Sequence, residues 1–132
     1  MSKKTVITYG TFDLFHIGHL NLLKRLRAIG DRLIVGVSTD EFNTLKGKKT
    51  TIAYEERAAI VGALSVVDVV FPESSWEQKR ADIARFGADV FGMGDDWVGR
   101  FDDLREVCSV VYLPRTPDIS TTSIRALLRE PS

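Results

Sequence analysis

Five short apolar runs rich in β-branched residues punctuate the chain, over residues 5–9, 33–37, 66–71, 90–93 and 109–113. Their nearly continuous apolar character suits strands covered on both faces. Between them the period changes. Leu22, Leu23, Leu26 and Ile29 recur at helical spacing, with Lys24, Arg25 and Arg27 on other faces and Gly30-Asp31 as a stop. Residues 54–65 turn mostly apolar after Arg57, residues 76–86 form an amphipathic stretch stopped at Gly87, and residues 101–107 suit a short helix. Ser120 caps a last helix with Ile124, Leu127 and Leu128 on its apolar face. Strand and helix alternate throughout. This order predicts an α/β fold, a Rossmann-like doubly wound five-stranded parallel sheet with right-handed crossovers, in a single domain over residues 1–132.

Three local expectations follow from punctuation. The polar residues 43–51, with Lys46, Lys48 and Lys49 around Gly47, read as a mobile basic loop. Pro72 closes the third strand. Ala53 stands where a hydroxyl cap belongs, so the helix after it is expected to begin earlier, at Thr51.

Composition narrows the function more than the fold. A chain of 132 residues with 44% apolar content can bury a core, and its formal net charge is zero. Nothing in the bulk charge points to nucleic acid or a membrane surface, so any affinity for anions must come from local clustering. The single Cys108 rules out an internal disulfide and suits a reducing compartment. Neither a leader nor a spanning segment is legible, and a cytoplasmic location is expected.

The chemistry concentrates in Tyr9-Gly10-Thr11-Phe12-Asp13-Leu14-Phe15-His16-Ile17-Gly18-His19, which holds both histidines of the chain. A strand leads in and a helix leaves. Gly10 and Gly18 let backbone approach closely, and a helix N-terminus presents unpaired N–H groups and a positive dipole end, a site for phosphate. Two imidazoles pointing there add donors able to carry charge near neutral pH. The same pair, three residues apart, could face a metal, but zinc asks for three or four protein ligands and no further histidine exists. In open sheets ligands sit beyond the carboxyl ends of the strands, so residues 11–19, 40–49, 94–97 and 115–121 are expected to converge at one rim. A GxGxxG fingerprint is missing from the first turn, against NAD or FAD. Arg115 and Thr116, with Ser120 and Thr121 at a helix N-terminus, form a second candidate anion cradle.

Gly10-Thr11-Phe12-Asp13 with His16-Ile17-Gly18-His19 resembles the signature of the small cytidylyltransferases of the HxGH nucleotidyltransferase superfamily, especially those acting on glycerol 3-phosphate. The likeness continues through Ser38-Thr39-Asp40-Glu41-Phe42, Trp76-Glu77-Gln78-Lys79, Met93-Gly94-Asp95-Asp96-Trp97, Arg115-Thr116 and Ile119-Ser120-Thr121-Thr122, nearly the whole chain.

The resemblance implies transfer of a cytidylyl group from CTP to sn-glycerol 3-phosphate, with Mg²⁺ mainly on the phosphates. By the same likeness His16, His19, Lys46 and Arg115 stabilise charge on the phosphoryl groups. Gly10, Thr11, Phe12, Asp13, Gly18, Asp96, Thr116, Ile119, Ser120 and Thr121 surround the nucleotide, with Asp96 at the ribose. Asp13 either orients its neighbours or helps to hold magnesium. Asp40, Arg57, Trp76 and Lys79 are carried as substrate contacts, although Trp76 reads first as core and Arg57 equally as a surface or ion-paired residue. A homodimer and a role in making teichoic acid or another glycerol-phosphate polymer are implied as well. Ser65 departs from the pattern, standing where the likeness would place an arginine.

Overall fold

The computed structural model describes residues 3–114. Its strands β1 (Thr5–Gly10), β2 (Arg32–Ser38), β3 (Val69–Glu73), β4 (Val90–Gly94) and β5 (Ser109–Leu113) form one all-parallel sheet in the order β3-β2-β1-β4-β5. Helices α1 (Ile17–Ile29), α2 (Asp40–Leu45), α3 (Tyr54–Gly62) and α4 (Lys79–Phe86), with 3₁₀ turns at Asp95–Trp97 and Asp102–Glu106, complete the described fold. The order reverses direction between β1 and β4. In such sheets that switch point opens the crevice in which ligands sit.

Strand alternation sorts the apolar side chains onto two faces. Val6, Leu33, Val35, Val37 and Val90 pack with Leu23 and Leu26 of α1 and Val61 of α3. Ile7, Tyr9, Ile34, Phe91 and Val110 pack on the other face with Ile83 of α4 and with Phe101 and Leu104. Both faces are therefore covered, as the continuous apolar runs require. Tyr9 pairs in register with Gly36, and a Cβ on that glycine would lie 2.5 Å from the tyrosine ring. Only a residue without a side chain leaves the ring this place.

Several boundaries differ from those the sequence suggests, each for a local reason. Helix α1 starts at Ile17, inside the motif, because His16 acts as its N-cap. The expected loop over residues 43–51 loses its first three residues to α2, which Thr39 caps by accepting the Phe42 N–H at 3.1 Å. Asn43 is buried there, and its amide has no hydrogen-bond partner among the described residues. Helix α3 begins at Tyr54 and not at Thr51, and ends at Gly62. Strand β3 runs through Pro72 to Glu73, which an edge position permits because one side of the strand needs no ladder donors. Helix α4 starts only at Lys79, since the Gln78 side chain accepts the Ser74 and Ser75 N–H groups and holds a turn before it. Gly87 ends α4 in the left-handed conformation, as expected. The helix expected after Ser120 lies outside the described residues. Among those residues no helix is long and apolar enough to cross a membrane.

Candidate active site

The turn between β1 and α1 occupies the switch point. Phe12 and Leu14 take positive φ values of 55° and 48° on either side of the buried Asp13. Side chains other than glycine adopt this conformation at a cost of roughly 1–2 kcal/mol each. The surroundings hold the strain: the Phe12 ring is buried among β-sheet and α1 side chains, and the Asp13 carboxylate is bonded to a neighbouring segment.

The two histidines close a reciprocal cap at the start of α1. The His16 Nδ1 accepts the Gly18 N–H at 3.0 Å, and the His19 Nδ1 accepts the His16 N–H at 3.1 Å. An Nδ1 that accepts a backbone N–H cannot also carry a proton, so each neutral ring bears its proton on Nε2. The rings stack with centroids 3.9 Å apart, and His19 also packs against Phe12 and Phe15. Burial lowers the His16 pKa. Burial and then the adjacent His16 lower that of His19 to about 4, against an opposing pull from Asp13. Both shifts favour neutral rings in the substrate-free chain, with the protons on Nε2.

The segment between β2 and α3 is tied to this turn. The Asp13 carboxylate accepts the Thr51 and Ile52 N–H groups at 2.8 and 2.9 Å. Arg57 of α3, its side chain wholly buried, donates to the carbonyls of Ile52, Thr11 and Ser38 and to Asp40 Oδ1, all within 2.8 Å. Asp40 Oδ2 accepts the Tyr54 N–H at 3.1 Å, supplying from a distance the cap that Ala53 lacks. That N–H bond, followed by the Arg57 guanidinium, lowers the Asp40 pKa. Arg57 and Asp40 thus spend their polar atoms on protein neighbours. Thr11 joins the same region through a 3.1 Å bond between its hydroxyl and that of Ser38.

On the β3–α4 side the site has another character. Lys79 and Glu73 form a buried ion pair at 2.6 Å, and the ammonium also lies 4.6 Å from the Tyr9 ring centre and 5.0 Å from that of Trp76. Tyr9 donates its hydroxyl to the buried Asp82 at 2.7 Å, and burial followed by this bond pushes its pKa up. Trp76 is 44% exposed and contacts Phe42 and Trp97 at the lip, so its reading as core is corrected. The Lys46 ammonium stands 4.5 Å over the Phe42 ring, and burial lowers its pKa while Glu73 opposes the change. Trp76, Lys79, Trp97, Arg100 and Phe101 help to line a cleft of about 460 Å³. Asp95 and Asp96 follow β4 with both side chains exposed.

Segments after β1, β2 and β4 accordingly share the carboxyl edge of one sheet. Arg115, Thr116, Ile119, Ser120 and Thr121 lie outside the described residues. Among those described, no group of three or more His, Cys, Asp or Glu side chains is arranged to hold a metal ion. Sequence reasoning named Tyr9 and Thr39 within their motifs without these roles, and missed Asp82. Thr39 before Asp40-Glu41 carried a cap signal, whereas nothing along the chain links Tyr9 to Asp82.

The family model described as cytidylyltransferase-like matches residues 7–127. A glycerol-3-phosphate cytidylyltransferase of Bacillus spizizenii is 57% identical over 122 residues, covering 92% of this chain and 95% of the relative. One of Staphylococcus aureus is 53% identical and covers 92% of each chain. A crystal structure described as a lipopolysaccharide core biosynthesis protein from Thermoplasma volcanium matches with a TM-score of 0.74 at 22% identity, over 87% of this chain and 99% of that one. That match supports the fold. The chain belongs to the cytidylyltransferase-like family, within its glycerol-3-phosphate cytidylyltransferase branch.

Proposed function

We propose that the chain transfers the cytidylyl group of CTP to sn-glycerol 3-phosphate, giving CDP-glycerol and pyrophosphate. Family membership supports this reaction, and the observation that carries it in the structure is the pair of capped imidazoles at the switch point between β1 and β4. The acceptor's phosphate oxygen attacks the α-phosphorus in line. A P–O bond forms there as the bond to the β-phosphate oxygen breaks, and pyrophosphate leaves with the electron pair. The attacking oxygen is already anionic and needs no activated side chain. Catalysis is then orientation together with stabilisation of phosphoryl charge.

The Nε2–H groups of His16 and His19 donate to triphosphate oxygens beside the positive end of α1. The Lys46 ammonium adds charge, and Arg115 with Thr116, Ile119, Ser120 and Thr121 completes the grip as the resemblance implies. Gly10, Thr11, Phe12 and Gly18 shape the turn, and Asp96 holds the ribose. Trp76 and Lys79 belong to the acceptor side, where the cleft offers room. The described side chains suit a magnesium ion carried on phosphate oxygens better than one caged by protein, since the Asp13 oxygens bind backbone amides. The chemistry such an ion would supply is shielding of the triphosphate charge.

Membership in this family also supports a homodimer and a role in building a glycerol-phosphate polymer such as teichoic acid. The free Cys108 fits a cytoplasmic setting. Incubating the protein with CTP or ATP and with glycerol phosphate, ethanolamine phosphate, choline phosphate, a sugar phosphate or FMN, then weighing the products, tests the reading. CDP-glycerol as the dominant product is expected; a different conjugate, or no pyrophosphate, would overturn it.

A further inference from the structure

The chain from Asp40 to Tyr54 leaves the sheet edge and returns to it, carrying α2, Lys46, Lys48 and Lys49. Its two ends are bonded to each other. Asp40, the first residue of the excursion, accepts the Tyr54 N–H and the Thr50 hydroxyl. Arg57 joins Asp40 to the carbonyls of Ser38 and Ile52, and Asp13 holds the amides of Thr51 and Ile52. A loop whose ends are bonded at the base behaves as one compact unit. This base is attached to the β1 turn at two points, through Asp13 itself and through the bond from Arg57 to the Thr11 carbonyl.

We propose that Asp13 and Arg57 are positioning residues that form a clasp, locking the lysine-bearing excursion in register with the histidine turn. Because Phe12 and Leu14 are held in left-handed conformations on either side of Asp13, the clasp also keeps the turn in its strained path. The proposal rests on the cytidylyltransferase reading for its catalytic consequence and on hydrogen bonds alone for its structural one. It gives the Asp13 carboxylate a task other than metal binding, and the Arg57 guanidinium one other than substrate contact.

The test uses Asp13→Asn, which keeps one acceptor oxygen, and Arg57→Lys, which keeps the charge but loses the fork. Amide hydrogen exchange of the substrate-free full chain reads the clasp directly. In Asp13→Asn the Thr51 and Ile52 amides should exchange on the order of tenfold faster or more, while β1 and β2 amides stay protected. Kinetics with varied CTP read the consequence. The KM for CTP should rise about tenfold or more, kcat should fall less, and the magnesium concentration giving half-maximal rate should not move. The double variant should lie within about threefold of the worse single one, as expected of residues acting in one network. Unchanged exchange at Thr51 and Ile52 would overturn the clasp, as would a raised magnesium requirement with those amides still protected. Failure of the unaltered protein to make CDP-glycerol would instead overturn the functional reading, because the exchange measurement needs no substrate.

Discussion

The two sides of the rim satisfy their polar and charged groups in opposite ways. On the β1–β2 side, Asp13, Asp40 and Arg57 bond mostly to main-chain N–H and C=O groups. On the β3–α4 side, Lys79 meets Glu73 and Tyr9 meets Asp82, side chain to side chain, among aromatic rings. The first arrangement fixes the path of the backbone, and with it the direction in which the capped imidazoles point. The second fixes side chains against one another and leaves the backbone to the sheet. A change on the first side should therefore misplace catalytic donors, whereas a change on the second should strand a charge and cost stability.

The largest expected effect breaks the second side. Lys79→Met leaves Glu73 buried without its cation, which should destabilise the fold by roughly 3–5 kcal/mol in chemical denaturation. Adding Glu73→Leu should recover most of that loss, since an apolar pair of similar volume can replace a buried ion pair at little cost. A double variant as unstable as the single one would show that Glu73 or Lys79 does more than answer its partner. Next comes the first side. His16→Ala should lower kcat by about 10²–10³ through the lost phosphate donor, with near-normal turnover contradicting the role. Its stability loss should be only about 1 kcal/mol, the usual worth of a helix cap.

A smaller change sharpens the contrast. Tyr9→Phe removes one bond to Asp82, which keeps the Gln78 amide at 2.9 Å, so a loss of about 1–2 kcal/mol is expected. Titration of the imidazoles gives the most subtle signature. Because the folded His19 pKa is depressed to about 4 from an ordinary 6.5, the unfolded chain binds its proton first as pH falls. The contribution of His19 to stability should be fully present above pH 6.5 and be lost progressively as pH falls toward 4. Ring NMR shifts should place its midpoint well below 6.5, and a midpoint near 6.5 would contradict the cap.

What could be read along the chain follows from the range of the forces involved. The apolar runs located all five strands, because burial on both faces writes itself into consecutive residues. Pro72 misled the third strand because its place at the sheet edge is a tertiary fact. The periodicity placed the start of α3 at Tyr54, and the earlier start at Thr51 failed because the cap, Asp40, sits on another helix. Likewise the N-cap role of His16 was not legible, for imidazole is an uncommon cap. The clasp around Arg57 gathers residues 11, 38, 40 and 52, whose meeting no local pattern announces. Trp76 looked like core since its type is usually buried, yet it stands at the lip beside Phe42 and Trp97.

The central claim is that two neutral imidazoles, locked by their own helix cap, offer Nε2–H donors to the triphosphate. Long-range ¹H–¹⁵N spectra of the histidine rings, recorded at neutral pH without and with CTP, test it most directly. The account predicts unprotonated Nδ1 and protonated Nε2 in both rings, with the Nε2 signals moving on addition of CTP. Rings protonated at Nδ1, or Nε2 signals indifferent to saturating CTP, would contradict it.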